Sequence, residues 1–143
     1  MVINSEQKLK SLIRDNQVPN ICLVMGNENA LVTSCANKIC SSFSNDKTLL
    51  DGSGIDFKKL ESDSEVISFF GGKRVFFIRE LAASQIDELS NTIKDFSIDS
   101  VLVITLDAEL NDKKKQSAKT LKGLIELVDK NLEKYMPILY PEN

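Results

Sequence analysis

Short unbroken apolar runs alternate along this chain with stretches whose apolar residues recur every three or four positions. Residues 4 to 16 place Leu9, Leu12 and Ile13 at helical spacing, with Pro19 ending the connection that follows. ICLVMG, closed by Gly26, has the continuous hydrophobicity of a strand covered on both faces, as in a parallel sheet. After Asn27 and Glu28 the period changes. Leu31, Cys35 and Ile39 recur every four residues, flanked by Val32, Ala36, Cys40 and Phe43, which predicts a helix packed on a sheet.

TLLDG at 48 to 52 reads as a second strand ending in the turn residues Asp51 and Gly52. Two short helical stretches are expected next, over 57 to 60 and 64 to 70, the second stopped by Gly71 and Gly72. RVFFIRE forms a third strand, and 84 to 96 a helix through Ile86, Leu89, Ile93 and Phe96 with Ser84 as N-cap. VLVITL at 101 to 106 is the fourth and most apolar strand.

From Asp112 a long helix carries Ala118, Leu121, Leu124, Ile125, Val128 and Leu132, weakened at Gly123 and closed by Pro137. The tail PILY reads as a fifth strand beside the first or as a loop, since Pro137 and Pro141 flank it. Strands alternating with helices imply right-handed crossovers and an α/β fold: a three-layer parallel sheet of about five strands with helices on both faces.

Composition narrows the function. At 143 residues the chain suits one domain spanning 1 to 143, and 42% hydrophobic and 27% charged residues suit a globular one. No apolar run reaches the roughly 20 residues that cross a bilayer, and MVINSEQKLK lacks the centre of a signal peptide, so a cytoplasmic location without membrane contact is expected. The net charge of −3 lacks the basic field of a nucleic-acid binder. Lys113, Lys114 and Lys115 read as a solvated helix face. Cys22, Cys35 and Cys40 have no metal-ligand spacing and no histidine to complete a site, so they read as small core residues with no metal or cofactor expected.

In a doubly wound sheet the loop after the first strand is where a phosphate sits. The P-loop pattern GxxxxGK[ST] needs glycine for backbone approach, lysine for the β and γ oxygens, and a hydroxyl for magnesium. Here GNENALVT keeps Gly26 and Thr33, with Leu31 and Val32 in place of the second glycine and the lysine. Loss of the cation and added bulk predict a degenerate nucleotide loop. The third strand ends in Arg79 and Glu80, and a lone carboxylate is a poor magnesium site. Catalytic residues are therefore not expected. The alternative, an active P-loop ATPase, meets Leu31 and Val32 as direct objections, and a phosphoacceptor signalling domain lacks its acidic cluster and acceptor aspartate.

EVISFFGGKR sets Phe69 and Phe70 side by side at a helix end. Adjacent helical residues point about 100° apart, so both are buried in one core only if that end is enclosed. The competing reading is an apolar anchor for a partner's pocket.

The succession GNENALVT, LLDGSGIDFKKL, SFFGGKRVFFIREL and VLVITLDAELNDKKK resembles the delta subunit family of bacterial DNA polymerase III, over about residues 21 to 119. The resemblance implies an AAA+ fold that has lost its ATPase motifs, within a clamp loader of the polymerase III holoenzyme. It also implies that the short helix before the third strand inserts hydrophobic residues into the ring-shaped sliding clamp (beta) and favours its opening. By position, Ser68, Phe69 and Phe70 match the family's Ser-Leu-Phe step, preceded by Glu65, Val66 and Ile67. Phe69 replaces leucine, and Glu65 stands where some members have glutamine. The family further implies other clamp-loader subunits as partners, DNA contacted only indirectly, and later helical and collar domains absent from this chain.

Overall fold

The computed structural model describes residues 6–18, 20–26, 29–43, 47–69, 74–95, 100–106 and 135–139. The elements are α1 (Glu6–Arg14), β1 (Ile21–Met25), α2 (Asn29–Phe43), β2 (Lys47–Asp51), α3 (Phe57–Phe69), β3 (Val75–Leu81), α4 (Ile86–Asp95), β4 (Val101–Leu106) and β5 (Tyr135–Leu139). The five strands form one parallel sheet in the order β2-β3-β4-β1-β5.

Hydrophobic continuity sets a strand's place in that order. VLVITL and ICLVM, buried at every position, lie inside the sheet, whereas KTLLD, nowhere fully buried, forms an edge. Alternate residues divide between two cores. Ile21, Leu23 and Met25 join Phe76, Ile78 and Ile104 beneath Phe57 and Leu60 of α3 and Ile86 and Leu89 of α4. Cys22 and Val24 join Phe77 and Val103 beneath Leu9 of α1 and Val32, Cys35, Ala36, Ile39 and Cys40 of α2. Phe76 and Phe77, adjacent in sequence, therefore serve opposite faces, each ring contributing roughly 1.5–3 kcal/mol on burial.

The chain travels from β1 to the far edge with α2 on one face, then returns through β3 to β4 with α3 and α4 on the other. Reversing direction and face together keeps one crossover hand. It leaves β1 toward one edge and the adjacent β4 toward the other, so a topological switch lies at their carboxyl ends.

Several expectations are revised. The stretches expected over 57 to 60 and 64 to 70 are one helix, α3. Asp56 caps it, its Oδ1 accepting the N–H groups of Lys58 (3.1 Å) and Lys59 (3.2 Å), and buried Phe57 and Leu60 fix its first turn. A helix so anchored continues through ESDSE without apolar residues of its own. Ser84 is not an N-cap: it lies in a 3₁₀ turn, Ala83–Gln85, where the Gln85 side chain accepts the Ala82 N–H (3.2 Å) before α4 begins. Pro137, expected to close a helix, lies inside β5 opposite Leu23, a position that an edge strand tolerates. The helix expected from Asp112, the lysine run and the expected PILY residue Tyr140 lie outside the described residues.

The first helix ends at Arg14, before the 16 expected, in a Schellman turn. The Gln17 N–H reaches the Leu12 carbonyl (2.9 Å), the Asn16 N–H reaches that of Ile13 (3.2 Å), and Asn16 takes the left-handed φ of 56°. All three cysteines are free and buried, as expected of core residues. Burial, then the neighbouring Cys40 and Cys35, push the Cys22 thiol far up, and burial pushes Cys40 up to about 11 despite the nearby Lys47.

Candidate functional site

Three places follow from the sequence, and the topology separates them. Helix α3 must run back from the carboxyl end of β2 to the amino end of β3, so its last turn lies at the opposite end of the sheet from the loop after β1. A five-residue strand separates those ends by about 17 Å.

At the carboxyl end of β1, Met25 and Gly26 are buried and α2 begins at Asn29, leaving Gly26, Asn27 and Glu28 as the connection. Positions that the P-loop pattern reserves for loop, Asn29 and Ala30, are already helical. The four sequence-selected residues do not converge. Val32, at the lysine position, is fully buried in the core between α2 and the sheet. Thr33, at the hydroxyl position, lines a shallow groove along α2 with Ala30, Asn37, Ser41 and Ile13 of α1. Leu31 is half-buried. Consecutive helical residues diverge by about 100°, and here that sends one side chain inward and the next outward.

The carboxyl ends of β2 and β3 are built differently. Asp51 is in register with Arg79, and its carboxylate accepts the Ser53 N–H (3.0 Å) and hydroxyl (2.9 Å). Those hydrogen bonds, with Arg79 adding its charge, hold the carboxyl below its ordinary value. Beyond Arg79 the register between β3 and β4 shifts, Glu80 adopts a φ of 58°, and its N–H donates to the buried Thr105 Oγ1 (3.1 Å). Gly52 makes this bulge possible. Its N–H donates to the Arg79 carbonyl (2.7 Å), and a Cβ there would meet the Glu80 oxygen and Leu81 backbone at 2.7 Å. Arg79 and Glu80 are both exposed.

At the amino end of the sheet, Glu65, Val66, Ile67, Ser68 and Phe69 form the last turns of α3, which stops at Phe69. Exposed Arg74 then leads into β3. The side chains of 65 to 69 and the whole of Phe70 lie outside the described residues. Sequence reasoning missed two features of this half of the molecule. The Asp56 cap was legible as an aspartate just before an apolar helical pattern. The Glu80 bulge carries no local signal, since VFFIREL reads as an uninterrupted strand.

Among the described residues no group of three or more His, Cys, Asp or Glu side chains is placed to hold a metal ion, and no helix is long and apolar enough to cross a membrane. The family described as DNA polymerase III, delta subunit, matches residues 22–131. No curated protein matches the chain by sequence. Among solved structures the chain is similar to the Bacillus subtilis DNA clamp loader delta protein (YqeN), with a TM-score of 0.66 and 15% identity, over 96% of this chain and 43% of that one. The chain thus spans less than half the length of the structure it resembles.

Proposed function

Because the chain belongs to the DNA polymerase III delta-subunit family, we propose that it is the AAA+-like amino-terminal domain of a clamp-loader subunit, formed by residues 1–143, which binds the sliding clamp through the end of α3 and helps to open it. The observation that carries this reading is the position of the SFF step. Its first two residues, Ser68 and Phe69, lie in the last turn of α3, which runs back toward the amino end of β3 and so away from the loop after β1. A helix end that closes a turn before an edge can present apolar side chains outward without disturbing either core. In this reading Glu65, Val66, Ile67, Ser68, Phe69 and Phe70 form the clamp contact, with Phe69 and Phe70 as its anchors.

The same reading makes the domain a scaffold without ATP hydrolysis. Val32 committed to the core and Thr33 turned to the outer groove support it, because neither side chain is directed to a shared ligand. Clamp opening, contact with the other clamp-loader subunits and an indirect relation to DNA follow from the family and extend to the parts of a delta subunit beyond this chain.

The test is retention of purified sliding clamp on the immobilised chain. Each anchoring ring is worth roughly 1.5–3 kcal/mol when desolvated, so Phe69→Ala with Phe70→Ala should weaken binding at least a hundredfold while circular dichroism and melting stay unchanged. Undiminished retention by that double variant overturns the assignment of the site. A titration with magnesium-ATP checks the second half of the reading: saturable micromolar binding would overturn it.

A further inference from the structure

We propose that the free edge of β2, with the groove between β2 and α3, receives an extended segment of a partner protein that carries basic side chains between apolar ones. Among the described residues β2 is hydrogen-bonded to β3 alone. The Gly52 N–H points to β3, where it meets the Arg79 carbonyl at 2.7 Å. By the two-residue alternation of a strand, Leu50 and Thr48 also face β3, and the main-chain groups of Leu49 face the open side.

Edge strands are ordinarily guarded by proline, a bulge or a charged side chain over the rim. β2 has no proline, and its one lysine is engaged elsewhere. Lys47 Nζ donates to Asn37 Oδ1 (2.6 Å) and lies 5.7 Å from the centroid of the Phe77 ring, over the face of the sheet rather than along its edge. Among the described residues the edge is therefore open to a sixth strand in the sheet's own plane.

The surroundings define what that strand would carry. On the α3 side a groove of about 320 Å³ has an apolar floor of Leu50, Leu60 and Phe76. Its rim bears Asp51, Asp56 and Asp63 against the single Lys59. The hydrogen bonds that the Asp51 carboxylate accepts from Ser53 favour its ionised form, and three carboxylates against one lysine give the rim a negative excess. A long side chain with an apolar stem and a cationic head satisfies both parts, its stem along the floor and its head at the rim. On the opposite face Leu49 is 52% exposed, the one large hydrophobic so placed among the described residues. An added strand would alternate between these two environments, basic toward α3 and apolar over Leu49.

This surface uses β2 and the first two turns of α3 and none of residues 65 to 70, so it stands apart from the clamp contact proposed above. The test uses the whole 143-residue chain and a fluorescein-labelled nonapeptide alternating arginine with valine, with glutamate replacing arginine in the control. Saturable anisotropy changes are expected for the arginine peptide, with the largest amide shifts at Leu49 and Asp51. Asp63→Lys should weaken binding at least tenfold through charge. Leu49→Pro should do the same by removing the outward N–H while leaving the bonds from Thr48 and Leu50 to β3 in place, and both variants should still retain the clamp. Equal binding by Asp63→Lys, equal affinity for the glutamate peptide, absence of saturable binding, or shifts confined to other elements would each overturn the proposal. Self-association of the chain that Leu49→Pro abolishes would overturn it too, by making a second copy the occupant. If Leu49→Pro does not fold, Asp63→Lys decides alone.

Discussion

Helices α2 and α3 each begin beyond the carboxyl end of a strand, but they are committed to the fold to different depths. In α2, Val32, Cys35, Ala36, Ile39 and Cys40 carry burial from the first turn to the last. In α3 the described core contacts belong to the first turn, Phe57 and Leu60 behind the Asp56 cap. Among the described residues, burial runs along the length of α2 and gathers at the start of α3. A nucleotide cradle needs side chains at the start of its helix to face a ligand, and in α2 one of those positions, Val32, is taken up by packing while Thr33 turns to the outer groove. A recognition tip of the kind proposed here needs a helix fixed at one end, and the capped and buried first turn of α3 supplies that fixed end.

Restoring the missing cation should break the comparison most severely. Val32→Lys puts an ammonium into a fully buried site, and forcing it to be neutral or unpaired costs on the order of 4–6 kcal/mol. Urea unfolding should find the variant largely unfolded; a stable protein that gains ATP binding would show instead that α2 still serves a cradle. Loosening the mooring of α3 comes next, with Phe57→Ala expected to cost about 3–5 kcal/mol in the same assay, since the ring is 3% exposed.

The turn that feeds α3 offers an internal control. Gly52→Ala forces a Cβ against the Glu80 and Leu81 backbone and should cost about 1–3 kcal/mol, whereas Gly54→Ala, with nothing within 4 Å, should change stability by less than about 0.5 kcal/mol. Comparable melting temperatures for the two would mean that the bulge relaxes freely. The smallest effect is expected of Asp56→Ala, about 1 kcal/mol from the lost cap, read as a small shift of the urea midpoint with unchanged slope.

Much of this architecture is legible in the sequence because burial on both faces leaves so plain a trace. ICLVM, VFFI and VLVITL are strands at the positions their hydrophobicity predicts, and the cysteines are core. What escaped reading depended on contacts across the chain. Helix α3 runs unbroken through ESDSE behind a first turn that is capped by Asp56 and buried at Phe57 and Leu60. Of the two readings offered for PILY, the strand beside β1 is the one found, and what escaped was that it begins before Pro137, which pairs opposite Leu23 instead of ending a helix. The bulge at Glu80 rests on Gly52 from another strand and Thr105 from a third. In the candidate site the sequence identified Val32 by what it lacks, a charge; that its side chain belongs to the core required the periodicity of α2 to be set against the sheet. The SFF step was singled out by its order in the chain, and the structure adds that Ser68 and Phe69 lie in the last turn of α3, before β3.

The thiols of the α2 face bring a practical consequence. With its acidity pushed to about 11, Cys40 presents on the order of a thousandth of its population as the reactive anion near pH 8, and Cys22 still less. Alkylating or disulfide-exchange reagents should therefore label the native chain slowly and at a pace set by the opening of that layer. The molecule carries its own clock for local unfolding, readable by mass spectrometry without any engineered probe.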